Sequence, residues 1–269
     1  MPERHGRPET ASEALARLYD LDLSEDPGDL DLYLATAART GGPIVELGVG
    51  SGRIAAPLAA AGHIVIGVDD DPAMLARAER RLAATKGARR LRLIRADMVE
   101  VRRTDLGTAA ADGAGLVLIA LNTILLAADR RRQRRLLATM AELLRPGGLV
   151  VVDAWLPSID DLVRFDGRLS LEWLRRDPES GHEVTKLAAA WYDETSRVVT
   201  LTTIFDEGEP GTTPRRWTRS DALRLIGADE LMAFAEEGGL VVEQLAGDHD
   251  LGPFGPGSER AILIARKPG

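Results

Sequence analysis

A glycine-rich loop is the part of the sequence best suited to bind a ligand. Its glycines have the spacing Gly-x-Gly-x-Gly from Gly48 to Gly52, after a short apolar segment at 44–47 and before a helical pattern. Glycines at such a turn let a ligand lie against bare main chain, with helix N–H groups directed toward it. The dinucleotide-binding fingerprint is a competing interpretation, but it requires a third glycine one position later. That position holds the bulky Arg53, and the neighbouring Glu46 disfavours a pyrophosphate.

Acidic residues follow the next two predicted strands. Asp69 ends the second strand, where a carboxylate can hold both ribose hydroxyls of a nucleoside. Asp97 and Met98 follow the third strand, and a carboxylate beside a soft apolar side chain suits the amine and the face of an adenine. Neighbouring parallel strands share one ligand-binding edge at their carboxyl ends. Together with Glu46 and the glycines, these residues predict a site for a cationic nucleoside with an amino-acid-like part.

The elements that must position these residues follow from the hydrophobic pattern. Short apolar runs alternate with longer amphipathic segments, which predicts a parallel sheet covered on both faces. The predicted strands of this part are 44–47, 64–68, 91–94, 116–121 and 149–154. The predicted helices are 11–19, 30–39, 52–61, 72–85 and 130–144.

After residue 155 the pattern changes to strand-like segments joined by tight turns. These segments are 169–176, 183–192, 197–207 and 214–226. Consecutive strands with short turns predict an antiparallel meander. A helix at 229–237 and two strands, 240–245 and 261–265, complete the chain.

The composition excludes several classes of function. The chain has 269 residues, with 34 Lys and Arg against 42 Asp and Glu, so its formal net charge is −8. We therefore expect no nucleic-acid partner and no membrane partner, because polyphosphates and anionic lipids require a basic face. The absence of cysteine excludes disulfides, thiolate metal sites and thiol nucleophiles, and we predict no metal site. Without an apolar run of about 18–20 residues or a signal-peptide core, we expect a cytoplasmic protein.

The chain resembles the class I S-adenosylmethionine-dependent methyltransferases of the bacterial small-molecule group. The resemblance is carried by residues 41–53, 62–69, 72–75, 96–98, 122–123, 144–148, 247–250 and 258–260. It implies a Rossmann-like α/β fold whose seven-stranded sheet has the order 3-2-1-4-5-7-6, with strand 7 antiparallel. It also implies helices on both faces and an inserted antiparallel β lid. Residues 1–155 and 228–269 would form the cofactor-binding domain, and 156–227 the lid. Within the first segment we expect disorder over 1–10 and helices over 11–40 that cover the cofactor.

The resemblance also implies the cofactor, S-adenosyl-L-methionine, with S-adenosyl-L-homocysteine as its product. Glu46 and the glycines would flank the methionine part, Asp69 would bind the ribose, and Asp97 with Met98 would frame the adenine. A tyrosine of the leading helices, or Arg53, could bind the methionine carboxylate. The predicted cofactor residues are Tyr19, Tyr33, Glu46, Gly48, Gly50, Gly52, Arg53, Asp69, Asp70, Met74, Asp97, Met98 and Leu121.

Two residues are candidates for the catalytic step. His249 follows a strand that ends at the ligand edge and could act as a general base, although a solvated loop histidine explains it too. Asn122 ends the fourth strand, where the family places groups that face the substrate or the methyl group. A strand-closing Asn is the alternative. Residues of the lid that could contact the substrate are Trp173, Tyr192 and Arg224, with core packing as the competing explanation.

The predicted reaction is methyl transfer to nitrogen or oxygen of a small metabolite. A neutral amine needs no strong base and a hydroxyl usually benefits from one, which favours an amine slightly. A non-catalytic sensor or scaffold that binds the same cofactor is an alternative, and an NAD-dependent oxidoreductase is a further one. A homodimer could form through an edge of the lid. The sequence leaves the acceptor and the methylated atom open.

Overall fold

The computed structural model describes residues 9–25 and 27–269, and its centre is a seven-stranded sheet. The strands are β1 (Ile44–Leu47), β2 (Val65–Asp69), β3 (Leu91–Arg95), β4 (Ala114–Ile119), β5 (Leu144–Trp155), β10 (Val241–Ala246) and β11 (Arg260–Arg266). Their order across the sheet is β10-β11-β5-β4-β1-β2-β3, with β11 antiparallel to both of its neighbours. The predicted Rossmann-like order 3-2-1-4-5-7-6 is therefore confirmed, β11 and β10 being its seventh and sixth strands.

The helices are α1 (Ala11–Asp22), α2 (Leu30–Thr40), α3 (Ala55–Ala60), α4 (Pro72–Ala83), α5 (Arg130–Leu143), α6 (Ile159–Arg164) and α7 (Ala228–Glu237). Of these, α2, α3 and α4 pack on one face of the sheet and α5 and α7 on the other. Side chains of a strand alternate between the two faces, so Ile44 packs in the layer of α2 and α3 while Val45 packs in the layer of α5 and α7. No helix in the described ranges is long and apolar enough to span a bilayer.

The start of the chain differs from the sequence-based expectation. Disorder was predicted for residues 1–10, of which 1–8 lie outside the described residues. Thr10 is ordered as the N-cap of α1, where its side chain accepts a hydrogen bond from the Glu13 N–H and the Glu13 carboxylate accepts one in return. This capping box satisfies two N–H groups that a helix end would leave unpaired. It also explains why the helix begins at residue 11.

The lid is a separate four-stranded antiparallel sheet. Its strands are β6 (Ser170–Arg176), β7 (Glu183–Asp193), β8 (Val198–Gly208) and β9 (Arg215–Arg224), paired in that order. All four lie within the segment 156–227. The pattern analysis did not predict α6, a six-residue helix whose N-cap is Ser158.

Helix α1 joins the lid to the part of the chain that forms the seven-stranded sheet. Leu18 packs with Val184, Phe205 and Trp217 of the lid, whereas Ala16 on another side of the helix contacts α4. The buried Arg17 binds Asp177 and Glu207, which belong to the lid segment. The lid is therefore held in place by α1 through both apolar packing and buried ion pairs.

Candidate active site

The carboxylate of Asp69 holds the glycine loop in place through hydrogen bonds to the main chain. Gly48 and Gly50 have φ angles of 71° and 53°, in the left-handed region that glycine adopts without strain. The two oxygens of Asp69 accept hydrogen bonds from the Gly50 N–H at 2.8 Å and the Asp71 N–H at 3.0 Å. A Cβ atom at position 48 would collide with the side chain of Thr123. The loop therefore has no room for a side chain at this point, and its main chain is held at the end of β1.

A cavity of about 430 Å³ lies against this loop at the carboxyl edge of the sheet, and we call it the sheet-edge cavity. Helix α1 covers it with Ser12, Leu15 and Ala16. Of the residues predicted to bind a cofactor, those on its wall are Tyr19, Gly48, Gly50, Asp69, Asp70, Met74, Asp97 and Met98. The structure thus brings together residues from α1, α4 and the ends of three strands.

Asp97 is held in its ionised form at one end of this cavity. Burial raises its pKa, but hydrogen bonds from the Arg132 guanidinium at 2.7 Å and the Val99 N–H at 2.8 Å outweigh burial and lower the pKa below its usual value. Arg132 was not among the predicted site residues. The structure shows it on the cavity wall, reaching across from α5 to the carboxylate.

Burial acts more strongly on Asp69. Desolvation raises the pKa of this carboxyl above its usual value, and the N–H groups of Asp71 and Gly50 offset only part of that effect. Each oxygen accepts one main-chain hydrogen bond, and a carboxylate oxygen can accept a second. Asp69 can therefore bind hydroxyl donors from the cavity while it still holds the loop.

A second cavity of about 340 Å³ lies between the lid and the end of β4, and we call it the lid cavity. It shares Tyr19, Thr123 and Arg219 with the sheet-edge cavity, so the two adjoin each other. Its charged groups are paired: the Lys186 ammonium lies 2.6 Å from Asp22. Apolar side chains supply much of the remaining wall, namely Leu15, Leu23, Leu121, Leu126, Leu201, Phe205 and Leu223.

Asn122 is fixed in one orientation at the floor of the lid cavity. β4 ends at Ile119, earlier than predicted, because Leu121 and Asn122 have positive φ angles of 42° and 67° and turn the chain. The Asn122 Oδ1 atom accepts hydrogen bonds from the Trp155 N–H at 2.7 Å and from Arg260 at 3.0 Å. Its amide nitrogen has no partner within the described part of the chain. The side chain can therefore offer N–H donors, but not its oxygen, to a ligand.

His249 follows the carboxyl end of β10, which lies at the same edge of the sheet as the carboxyl end of β5, but its side chain belongs to a polar cluster. The cluster consists of Asp29, Arg53, Asp153, His249 and Arg260. The His249 Nε2 atom lies 3.0 Å from an Asp153 oxygen, and the ring lines neither cavity. The other Asp153 oxygen accepts a hydrogen bond from Arg260 at 2.7 Å. His249 thus orients Asp153 instead of facing a ligand.

The same cluster accounts for Arg53. Its guanidinium donates two hydrogen bonds of 2.6 Å to the two oxygens of Asp29, which is fully buried. Ligand atoms of Asp29, Asp153 and His249 lie within 4.8 Å of one another. Both carboxylates are neutralised by guanidinium groups, so ion pairing explains why the acids can be buried together. Arg53 does not line the sheet-edge cavity.

Glu46 and Tyr33 are buried next to this cluster and outside both cavities. Burial raises the pKa of Glu46 to about 8, although the Arg53 charge opposes that effect. Its Oε2 atom and the Tyr33 hydroxyl have no hydrogen-bond partner among the described residues. Gly52 also lies outside both cavities, and a Cβ atom at this position would lie 3.3 Å from Ala78 of α4. These three predicted cofactor residues therefore support the glycine loop from the side that faces away from the sheet-edge cavity.

The predicted substrate residues do not line the lid cavity, and each has a structural explanation. The Trp173 indole donates a hydrogen bond of 2.8 Å to Asp22 and packs against Phe205. Tyr192 packs against the main core. Arg224 is buried, because β9 ends there and the chain passes toward α7, and it donates two hydrogen bonds of 3.0 Å to Glu230.

The pattern analysis missed Arg219 and Lys186 as cavity residues. In β9, Trp217 faces α1, and strand alternation places Arg219 and Asp221 on the same face. The sequence shows that these residues share one face of the strand. It does not show which face points inward, because that depends on the packing of α1 against the lid.

Residues 44–148 match a family model described as a methyltransferase domain. The fold is similar to the CcbJ methyltransferase from Streptomyces caelestis, with TM-score 0.76 and 24% identity over 91% of this chain and 97% of that chain. It is also similar to the sugar N-methyltransferase KedS8 from Streptoalloteichus, with TM-score 0.72 and 22% identity over 100% and 98% of the two chains.

A third similar structure contains a bound ligand. CalS10, an amino pentose methyltransferase from Micromonospora echinaspora, was solved with SAM bound and has TM-score 0.67 and 20% identity, over 98% of this chain and 100% of that chain. A search of curated proteins gives no match.

Proposed function

We propose that this chain is an S-adenosylmethionine-dependent methyltransferase whose acceptor is a small-molecule amine, since residues 44–148 match a family model described as a methyltransferase domain. The observation that carries the proposal is the junction of the two cavities. The sheet-edge cavity has the groups that a nucleoside-based methyl donor requires, and the adjoining lid cavity has space for a small acceptor.

The sheet-edge cavity fits the donor in its polarity. Asp97 is ionised and can accept from an adenine amine, while Met98 beside it offers an apolar surface for the ring. Asp69 retains acceptor capacity for the ribose hydroxyls. Asp70 and the exposed main chain of Gly48 complete the wall along which the donor would lie. When bound, S-adenosylmethionine supplies a methyl group on a sulfonium, which an acceptor lone pair displaces in line.

The lid cavity supports nitrogen as the acceptor atom. A hydroxyl acceptor benefits from a general base, worth about 10²–10⁴ in rate, whereas a neutral amine attacks with its own lone pair. Among the described residues of this wall there is no histidine. The two carboxylates, Asp22 and Asp221, are engaged by Lys186 and Arg219. The chain's own contribution would then be alignment of the two reactants, which can supply about 7–11 kcal/mol.

The similar structures support an amine as well. KedS8 is a sugar N-methyltransferase, and CalS10 is an amino pentose methyltransferase. An amino sugar combines a nucleophilic nitrogen with several hydroxyls. The free amide donors of Asn122 and the hydroxyl group of Thr123 at the junction could bind those hydroxyls.

The test compares matched acceptors. The protein is incubated with S-adenosylmethionine and, separately, with amino sugars and the parent sugars that carry a hydroxyl at the same carbon. Mass spectrometry then measures S-adenosylhomocysteine and the methylated product. We expect methylation of amines only. Methylation of the hydroxyl sugars would refute the assignment to nitrogen, and failure to bind S-adenosylhomocysteine in calorimetry would refute the proposed cofactor.

A further inference from the structure

Arg219 lies at the junction of the two cavities and carries unpartnered hydrogen-bond donors. Its side chain lines both cavities and is 35% exposed. The Nε atom lies 2.9 Å and 2.7 Å from the two oxygens of Asp221. The terminal Nη1 and Nη2 groups have no partner among the described residues. A guanidinium with two free terminal groups can bind a carboxylate through two parallel hydrogen bonds.

The other positive charges near the sheet-edge cavity are already committed. Of the described residues on its wall, Arg132 and Arg219 are the cations, and Arg132 donates to Asp97. Arg53 donates both of its terminal groups to the buried Asp29 and lies off the wall. An anionic group of a ligand beside the glycine loop would therefore meet Arg219.

Tyr19 supplies a second donor at the same point. Its hydroxyl has no partner in the described residues, and it lines both cavities from α1. Burial raises the pKa of Tyr19, while the positive charges of Arg53 and Arg219 oppose that rise, so its hydroxyl stays protonated and able to donate. The two unpartnered donors thus come from different elements, α1 and the lid.

We propose that Arg219, together with Tyr19, binds the α-carboxylate of the methionine part of the cofactor. This inference rests on the proposed function, because it assumes that the adenosine part lies toward Asp97 and Asp69. The methionine part then extends past Gly48 toward the junction. Arg219 belongs to the lid strand β9, so the lid contributes directly to donor binding and does not serve the acceptor alone.

The experiment uses two ligands that differ in the amino-acid part. S-adenosylhomocysteine carries the carboxylate, whereas 5′-methylthioadenosine has the same thioether nucleoside without the amino-acid part. Affinities for both are measured by calorimetry for the wild type and for Arg219→Gln and Arg219→Lys. Arg216→Gln is the matched control, because Arg216 lies on the same strand, pairs with a carboxylate at 2.7 Å and is 60% exposed on the other face of the lid.

We expect Arg219→Gln to weaken S-adenosylhomocysteine binding about 10- to 100-fold, the value of charge-assisted hydrogen bonds, and to leave methylthioadenosine binding within about twofold. Arg219→Lys should fall between the wild type and Arg219→Gln, and Arg216→Gln should bind both ligands normally. Equal losses for the two ligands, or unchanged S-adenosylhomocysteine binding, would overturn the inference. Unchanged S-adenosylhomocysteine binding would indicate instead that Arg219 binds an anionic group of the acceptor. If the wild type binds neither ligand, the proposed function itself fails.

Discussion

Replacement of Glu46 by Gln should change how stability depends on pH. Glu46 is buried on β1, and its Oε2 atom has no hydrogen-bond partner in the described part of the chain. Burial is the main cause that raises its pKa from 4.5 to about 8. The charge of Arg53 favours the ionised form, whereas those of Asp29 and Asp69 disfavour it. The folded protein therefore holds this proton more tightly than the unfolded chain does.

The sign and size of the effect follow from proton linkage. A carboxyl whose pKa is raised on folding stabilises the folded state most at low pH, and that stability is lost as the pH rises from about 4.5 to about 8. Above about pH 8 the loss is complete, and at about 1.4 kcal/mol per pKa unit it totals about 5 kcal/mol. Between about pH 5.5 and about pH 8, Glu46 should reduce the free energy of unfolding by about 3 kcal/mol.

Denaturant unfolding followed by circular dichroism measures this directly. The free energy of unfolding of the wild type and of Glu46→Gln is determined at about pH 5.5 and about pH 8, in the absence of cofactor. Because the Gln side chain does not titrate, the variant should gain about 3 kcal/mol relative to the wild type over this range. Glu100→Gln is the control, because that side chain is exposed. A difference between wild type and Glu46→Gln that stays constant with pH would refute the reasoning.

Three further predictions concern the cofactor, the lid and self-association. Asp69→Asn should weaken S-adenosylhomocysteine binding by about 2–4 kcal/mol in calorimetry, because a charged acceptor is lost, whereas equal losses in Asp69→Asn and in Asp112→Asn, an exposed residue outside both cavities, would contradict a specific role. Burial opposes ionisation of Glu207, but the hydrogen bonds that it accepts from Arg17 of α1 and from groups of the lid lower its pKa to about 2. The stability that Glu207 contributes is therefore present above about pH 4.5 and lost as the pH falls toward 2. Tryptophan fluorescence should report an acid transition that Glu207→Gln shifts. We also propose that the free edge of β6 and the exposed apolar side chains near it form a homodimer interface. Light scattering should then find a monomer for Trp191→Glu, whose side chain is 60% exposed in the wild type, and equal masses for variant and wild type would argue against it.

Features that depend on neighbouring sequence could be predicted. The glycine loop and the acidic residues after β2 and β3 follow directly from strand ends, and parallel strands bring such ends to one edge. For this reason Asp69 and Asp97 line the same cavity although 28 positions separate them in the sequence. The order of the sheet followed from the resemblance to a known family and is confirmed.

Features that depend on distant partners could not be predicted. The partner of His249 is Asp153, which is 96 residues away, and the sequence contains no sign that the pair is buried. Arg224 was assigned to the substrate site because it lies in the lid, but it is buried in an ion pair with Glu230. Arg219 was missed because the packing of α1 against the lid sets the inward face of β9. Ion pairs formed by tertiary packing thus decide the roles of His249 and Arg224, and helix packing decides that of Arg219.

The way Arg17 joins α1 to the lid limits how lids can be exchanged between related enzymes. The Arg17 side chain needs both Asp177 and Glu207, and the Leu18 face of the same helix needs the apolar inner surface of the sheet. A graft of a foreign lid would remove Asp177 and Glu207, which are two of the three carboxylates that bind this buried guanidinium among the described residues, the third being Glu9. A chimera built to accept a new substrate must therefore inherit its first helix from the same parent as its lid.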